Sequence, residues 1–201
     1  MAGFLWLDKL GYSAIAGLNV VTRQSLFGGN YAMIGSDLMP NPDWWVSVIY
    51  KKFVSEKVLR LSTSLEYLRF YAHCTPKTAW IGKVSAITIY GSNLANFSVP
   101  VSIQGIPVFH RNAKAFLYVL TSDSLQSRYV IIIFYKNKLC NVYFNYFRTI
   151  KINGEILKLQ SNGNLPSFQP IVFEPTQRIT LPPYSMIFIV IHGAKVPVCY
   201  I

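Results

Sequence analysis

The sequence predicts an α/β segment over residues 1–55 and an all-β sandwich domain over residues 56–201. Two observations predict this fold class. Near the N-terminus, apolar residues recur at helical spacing on both sides of one short apolar run, and from Glu56 onward the apolar period changes to two. A chain of 201 residues is long enough for one β-sandwich and a fragment of another domain.

The first predicted element is a helix that ends at Gly17, a residue type that commonly terminates helices. Its apolar positions follow helical spacing: Phe4, Leu7, Gly11, Ala14 and Leu18. Residues 18–21 then predict a strand buried on both faces, as in a parallel sheet. Arg23 and Gln24 would lie at the carboxyl end of this strand, where barrel enzymes place their ligand contacts. Residues 28–31 would form the following loop, either a binding loop or a plain turn.

A second helix is predicted after this loop. Asn41 is the expected N-cap, and Pro42 occupies the first helical position. Lys51 and Lys52 lie opposite an apolar stripe made of Trp45, Val48, Ile49 and Phe53.

The rest of the chain reads as short strands with no convincing helix between them. Asn153 and Gly154 separate two of these strands and form a strong two-residue hairpin signal. Gly and Pro punctuation between many short strands favours a β-sandwich. The predicted strands are residues 58–62, 65–72, 86–92, 97–104, 115–120, 149–152, 155–159 and 184–191.

Seven motifs occur along the chain in the order in which one enzyme family carries them. They are GFLWLDKLG from Gly3, VVTRQSLFGGNY from Val20, PDWWVSVIYKK from Pro42, YAHCT from Tyr71, ITIYGSNLANFS from Ile87, INGEILKL from Ile152 and LPPYSMIFIVIHGAKVPVCYI from Leu181. With these motifs the chain resembles the C-terminal part of the heparanase family, glycoside hydrolase family 79. The resemblance implies a TIM (β/α)8 barrel with a β-sandwich beside it, so residues 1–55 would be the C-terminal remnant of the barrel, comprising a helix, the last strand, the substrate loop and the last helix.

The resemblance implies a retaining endo-β-glucuronidase that cleaves heparan sulfate. Such an enzyme uses two carboxyl groups roughly 5 Å apart, one as acid and base and one as nucleophile. In the family both carboxyl groups lie upstream of the motif that begins here at Gly3. We therefore expect no catalytic residue in this chain, and we predict that the isolated polypeptide is inactive. The expected partners are heparan sulfate or a related glycosaminoglycan and the missing N-terminal part of the barrel.

The same resemblance implies three substrate-binding residues. Gly29 and Tyr31 match a loop that contacts the uronic acid and the neighbouring glucosamine, and Gln24 matches a polar residue at the end of the last barrel strand. The alternative is that Tyr31 packs the loop and Gln24 caps the barrel. The loop is one residue shorter than the usual Gly-Ala-Gly-Asn-Tyr, but it keeps Gly-Asn-Tyr, which brings the chain closer to the catalytic branch of the family.

The family's secretory origin gives two further expectations. Cys74 and Cys199 match cysteines that pair in a disulfide, the alternative being two buried free thiols. Asn96 begins the sequon Asn-Phe-Ser, where the family carries a glycan. The full-length parent would be secreted, with lysosome and extracellular matrix as its destinations. The N-terminus of this chain does not itself read as a signal peptide, because Asp8 and Lys9 interrupt its apolar run.

Residues 129–148 have no counterpart in the family, and removing them joins the flanking sequence into a family-like run. Their composition is typical of A/T-rich codons, so we interpret the segment as a retained intron translated in frame, with Cys140 as a cysteine without a structural role. The alternatives are a genuine β-hairpin and a membrane segment, and the apolar run is far too short for the latter.

The net charge of +11, from 19 basic and 8 acidic residues, is compatible with attraction to a polyanion such as heparan sulfate. The basic residues are dispersed, however, which equally fits a solvated surface. No nucleic-acid recognition motif accompanies the charge. The histidines, His73, His110 and His192, lack metal-ligand spacing, so we expect neither a metal nor a cofactor, and no transmembrane segment is predicted.

Two functional hypotheses remain from the sequence. The chain is either the C-terminal fragment of a heparanase-like hydrolase or a non-catalytic carbohydrate-binding or interaction module.

Overall fold

The computed structural model describes residues 2–28, 31–106, 109–123 and 149–200, without the side chains of residues 109–112. The predicted insert at 129–148, including Cys140, lies outside the described residues. The helices are α1 (Ala2–Ile15) and α2 (Pro42–Phe53). The strands are β1 (Val58–Leu59), β2 (Leu68–Cys74), β3 (Ala86–Asn93), β4 (Val99–Val101), β5 (Phe109–Thr121), β6 (Lys151–Ile152), β7 (Glu155–Ile156), β8 (Ile171–Phe173), β9 (Ile179–Leu181) and β10 (Ser185–Ala194).

Both predicted helices are confirmed. After α1, Gly17 has a left-handed φ of +79°, and its N–H donates to the Ala14 carbonyl at 3.1 Å while the Leu18 N–H donates to the Ser13 carbonyl at 3.0 Å. These bonds satisfy carbonyls that the helix end would leave free. Helix α2 starts after Asn41, as predicted, but the Asn41 side chain makes no cap bond and instead donates to the Ala32 carbonyl at 2.5 Å.

The main sheet is antiparallel throughout the described residues, and β10 lies at its centre. Strand β10 pairs with β3 on one side and with β5 on the other. Strands β2 and β1 continue the sheet beyond β3, whereas β6, β7 and β8 continue it beyond β5. The hairpin between β6 and β7 turns through Asn153 (φ 48°) and Gly154 (φ 91°), as the sequence predicts.

Alternate side chains of β10 enter two different cores. Phe188 and Val190 point to the face that α1 and α2 cover, where they join Trp45 and Ile49. Ile189 and Ile191 point to the opposite face, which a small two-stranded sheet of β4 and β9 helps to cover. Because both faces are covered, every residue of β10 is buried.

The predicted buried strand at residues 18–21 is wrong. The structure has no strand there, and Leu18 and Val20 are 59% and 77% exposed. A strand needs a neighbour to accept its backbone hydrogen bonds, and none of the strands in the described ranges pairs with this segment. In the β region, β1, β4, β6 and β7 are shorter than predicted, and β8 and β9 are not predicted. Strands β8 and β9 each have three residues, too few to show an alternating pattern.

Candidate functional site

The predicted site residues lie in the segment between the two helices, residues 16–41, which we call the connecting loop. It has no helix or strand in its described part, but backbone bonds close it on itself. The Met33 N–H donates to the Ser25 carbonyl at 3.0 Å, and the Ile34 N–H donates to the Leu26 carbonyl at 2.9 Å. The loop is therefore folded back between residues 25 and 34.

Arg23 makes the largest set of side-chain contacts in the connecting loop. Its Nη2 lies 2.9 Å from Oδ2 of Asp43, and its Nε donates to the same oxygen at 3.1 Å. Nη1 donates to the carbonyl of Gln24, and Nη2 donates to the carbonyl of Tyr31 at 2.8 Å. The guanidinium carbon also lies 5.7 Å from the centre of the Tyr31 ring, within range of a cation–π interaction.

Asp43 anchors this arrangement from the first turn of α2. It is 1% exposed, and a carboxylate in the first turn interacts favourably with the helix dipole. Oδ1 has no hydrogen-bond partner among the described residues, so the Arg23 guanidinium is the cation that balances this buried charge. This role of Asp43 was not predicted from the sequence. The sequence contained a signal for this role. An aspartate follows Asn41 and Pro42 at the predicted helix start, and an arginine, Arg23, lies earlier in the same loop.

The backbones of Gln24 and Tyr31 meet at Arg23, while both side chains remain at the surface. Tyr31 is 63% exposed, and Gln24 is also exposed. Gly28 adopts a φ of +83° in the turn before Tyr31, and its carbonyl accepts a bond from the Ser25 hydroxyl at 2.8 Å. Gly29 lies outside the described residues. An exposed phenol and an exposed side-chain amide in the same loop are groups that can hydrogen-bond a polar ligand such as a sugar.

Several acidic residues of the described ranges form ion pairs. Besides Asp43, Asp8 pairs with Arg69 at 3.1 Å, and Asp123 and Glu174 pair with lysines. The Tyr71 hydroxyl also donates to Asp8 at 2.6 Å, and burial together with this carboxylate raises the pKa of Tyr71 to about 12. Within the described ranges, no group of three or more His, Cys, Asp or Glu side chains is placed to hold a metal ion.

Cys74 and Cys199 form a disulfide with a Cα–Cα distance of 5.4 Å, the pairing that the family resemblance implies. The bond joins the end of β2 to the short 3-10 turn Pro197–Cys199. Asn96 is exposed in the turn between β3 and β4, and its neighbour Phe97 packs edge-on against Tyr67 at 5.4 Å. The sequon asparagine is therefore accessible to modification, and its glycosylation stays a prediction.

A buried polar group lies between α2 and the sheet. The His73 ring is bonded at both nitrogens: Nδ1 donates to the Ser55 carbonyl at 2.7 Å, and Nε2 lies 3.0 Å from the Tyr90 hydroxyl. Burial lowers the pKa of His73 and raises the pKa of Tyr90. Because its partners belong to the packed core, this group supports the fold.

A groove of about 660 Å³ opens on the other face of the sheet, between the segment before β2 and the segment after β4. Its floor is apolar and includes Leu68, Ile89 and Ile189, whereas its rim is polar. The rim side chains are Arg60, Ser62, Thr63, Ser64, Ser102 and Gln104.

Comparison with known proteins gives relatives over nearly the whole chain. No protein-family model matches it. The bovine (Bos taurus) heparanase is 34% identical over 98% of this chain and 33% of its own length. The mouse (Mus musculus) heparanase is 32% identical over 98% of this chain and 34% of its own length. The chain is heparanase-like in sequence. It spans about one third of the length of these relatives, which fits the expectation that it corresponds to their C-terminal part only.

Two further comparisons connect this heparanase-like chain to glycosidases. The baicalin-β-D-glucuronidase of Scutellaria baicalensis is 28% identical over 95% of the chain and 32% of its own length. Among solved structures, the GH51 α-L-arabinofuranosidase of Thermotoga petrophila superposes with a TM-score of 0.55 over 94% of this chain and 37% of its own chain, at 15% identity. The relatives support a glycosidase-like family, and the solved structure supports the fold alone. No helix in the described part of the chain has the length and apolar character needed to cross a bilayer.

Proposed function

We propose that this chain is the C-terminal part of a heparanase-like retaining endo-β-glucuronidase that cleaves heparan sulfate. The observation that carries the proposal is the similarity to heparanases over 98% of the chain, combined with a coverage of only about one third of those proteins. In this proposal the acid and base and the nucleophile belong to the upstream part of the protein, and this chain alone is inactive.

The exposed apolar surface of α1 and the connecting loop supports the proposal that another part of the protein packs against it. Leu5, Tyr12 and Ile15 of α1 are 69%, 64% and 59% exposed, and Leu18 and Val20 extend the apolar surface into the loop. An apolar surface of this kind usually packs against another structure. We propose that residues 1–55 are the end of a TIM barrel, whose upstream strands cover this surface, and that residues 56–201 form the accompanying β-sandwich.

The connecting loop would then supply one wall of the substrate cleft. Gln24, Gly29 and Tyr31 would contact the sugar, because a sugar carboxylate that leaves water needs hydrogen-bond donors such as a phenol or backbone N–H groups. We further infer a secreted parent, with lysosome and extracellular matrix as destinations, and a glycan on Asn96.

The test compares the purified chain with a chimera in which it follows the upstream two thirds of the bovine heparanase. We expect no cleavage of heparan sulfate by the chain alone, cleavage by the chimera, and a weaker apparent affinity for substrate in the Tyr31→Ala chimera. The matched control is Tyr200→Ala, which removes an exposed tyrosine near the C-terminal end, away from α1 and the connecting loop. Cleavage by the chain alone would overturn the assignment of the catalytic carboxyls, and a folded but inactive chimera would overturn the enzymatic assignment.

The polar-rimmed groove on the opposite face favours a second candidate function, a non-catalytic carbohydrate-binding module. A groove lined by apolar residues together with hydroxyl and guanidinium side chains has the composition of a small-ligand site. Titration of the chain with heparan sulfate oligosaccharides separates the two candidates. Binding that Arg60→Gln weakens and Tyr31→Ala leaves unchanged would favour the module.

A further inference from the structure

We propose that Arg23 is a positioning residue for the candidate substrate-contacting loop, holding the backbones of Gln24 and Tyr31 against the buried carboxylate of Asp43. The inference rests on the proposed function for what the loop contacts. The positioning itself depends only on the geometry of this chain.

The anchor of the arrangement is fixed by burial. Asp43 is 1% exposed at the start of α2, whose apolar stripe is held in the core by Trp45 and Ile49. The Ser47 hydroxyl donates to the Asp43 carbonyl at 2.8 Å and accepts a bond from the Trp6 indole at 2.7 Å, which ties this turn to α1. The Asp43 carboxylate therefore has a fixed position relative to both helices.

Arg23 links the backbone of the loop to this fixed carboxylate. Two of its N–H groups bind Oδ2 of Asp43, and the guanidinium also reaches two carbonyls that belong to Gln24 and Tyr31. Its side chain is only 19% exposed, so these bonds are partly shielded from water. A planar guanidinium with five donors can bind a carboxylate and two carbonyls together, whereas the ammonium of lysine lacks this fork geometry.

The contacts with Arg23 hold the exposed Tyr31 ring in place. Tyr31 is 63% exposed and lies in a segment without regular secondary structure, yet its carbonyl is bonded to Arg23 and its ring lies 5.7 Å from the guanidinium. A ligand that binds a ring already held in place loses less conformational entropy than one that must order a free loop. Arg23 is thus placed to preorganise a wall of the site without contacting substrate.

The first test measures backbone hydrogen exchange in the full chain. In Arg23→Gln we expect the Met33 and Ile34 amides, which close the loop onto residues 25 and 26, to exchange about tenfold faster, while the β10 amides keep their protection. Arg23→Lys should restore part of the protection. The matched control is Arg69→Gln, which removes an arginine–aspartate pair of similar length that holds α1 to β2. The control should leave the Met33 and Ile34 amides unchanged.

Arg23→Gln leaves a buried carboxylate unpaired and can prevent folding. The double variant Arg23→Gln with Asp43→Asn removes both charges, and Asp43→Asn keeps the shape of the buried side chain. This variant therefore allows the same exchange measurement on a protein without an unpaired buried charge. Faster exchange at Met33 and Ile34 in this folded variant supports the positioning role. Unchanged exchange at both amides would overturn it.

The second test uses the chimera with the upstream heparanase segment. A positioning role predicts a KM for heparan sulfate that is about tenfold higher in Arg23→Gln, a small change in kcat, and partial rescue by Arg23→Lys. An unchanged KM in an active Arg23→Gln chimera would overturn the positioning role. An inactive wild-type chimera together with accelerated exchange in Arg23→Gln would contradict the proposed function and leave the positioning role supported.

Discussion

The central strand β10 and the connecting loop obtain their conformations from different sources. Every residue of β10 is buried, and the strand has a hydrogen-bonded neighbour on each side. In the connecting loop, Val20, Leu26 and Leu38 are 77%, 61% and 71% exposed, and a single guanidinium provides several of the bonds that define the path of the backbone. The strand is held by apolar burial along its whole length, whereas in the loop Ala32 and Met33 are buried and a few polar contacts hold much of the rest.

This difference bears on where function can lie. A segment held by a small number of partly exposed bonds belongs to the low-stability end of a protein, from which binding loops are drawn. A strand buried on both faces is suited to support and tolerates little change. Changes to the sheet should therefore alter global stability, whereas changes to the loop should act locally.

The largest expected effect is loss of the Cys74–Cys199 disulfide. The two cysteines are 125 residues apart in sequence, and closing so long a loop contributes about 5 kcal/mol to the free energy of unfolding in the chain-entropy model. Urea unfolding of the double variant Cys74→Ala with Cys199→Ala should show a loss of this order. The Met33 and Ile34 amides should keep their exchange rates relative to the wild type under native conditions. A stability within 1 kcal/mol of wild type, as a rough limit, would contradict this expectation.

A pair of glycine substitutions compares the two regions directly. A Cβ added at Gly91 in β3 would lie 1.9 Å from the Arg69 carbonyl oxygen, whereas one at Gly28 meets no atom within 4 Å. We expect Gly91→Ala to cost about 3 kcal/mol or more through the backbone clash. Gly28→Ala should cost about 1 kcal/mol, because φ is +83° there. Thermal unfolding of the two variants checks whether Gly91→Ala loses more stability than Gly28→Ala. An equal loss in both variants would show that the sheet relaxes around position 91.

The parts of the fold that the sequence predicts are those with a local cause. Helix α1 ends at Gly17 because that residue adopts a left-handed φ, and the β6–β7 hairpin turns at Asn153-Gly154 for the same reason. The structure adds a role for Asn153 that no local pattern shows. Its side chain accepts a bond from the Val119 N–H at 2.8 Å and donates to the Leu117 carbonyl at 3.0 Å, which fixes the hairpin to β5.

The parts that the sequence does not predict depend on distant partners. Residues 18–21 have the apolar composition of a buried strand, but composition cannot supply the neighbouring strand that the backbone requires. The pairing of Arg23 with Asp43 joins residues on opposite sides of a loop, and only the packing of α2 reveals that Asp43 is buried. For the candidate site, the resemblance indicated Gln24 and Tyr31, whereas the group that holds them together required the structure.

The smallest expected effect concerns the pH dependence of the sheet. Burial lowers the pKa of His73 below its ordinary value of 6.5, so the folded state favours the neutral ring. A group with a lowered pKa in the folded state contributes its full stability above pH 6.5 and loses it as the pH falls toward the folded-state pKa. The melting temperature should therefore fall as the pH is lowered from 6.5 to about 5, because protonation puts a charge among Ser55, Tyr90 and the apolar core.

The His73→Asn variant separates this residue from the other groups that titrate in the same range. At about pH 7.5 its melting temperature should be lower than that of the wild type, because the bonds to Ser55 and Tyr90 are altered. Below pH 6.5 its melting temperature should depend less on pH than that of the wild type. His192, whose pKa burial also lowers, should leave a residual slope that His192→Asn removes. An acid dependence as steep in His73→Asn as in the wild type would assign the effect to groups outside the core. In that case His73 in the sheet would not be the cause of the lower melting temperature at acid pH.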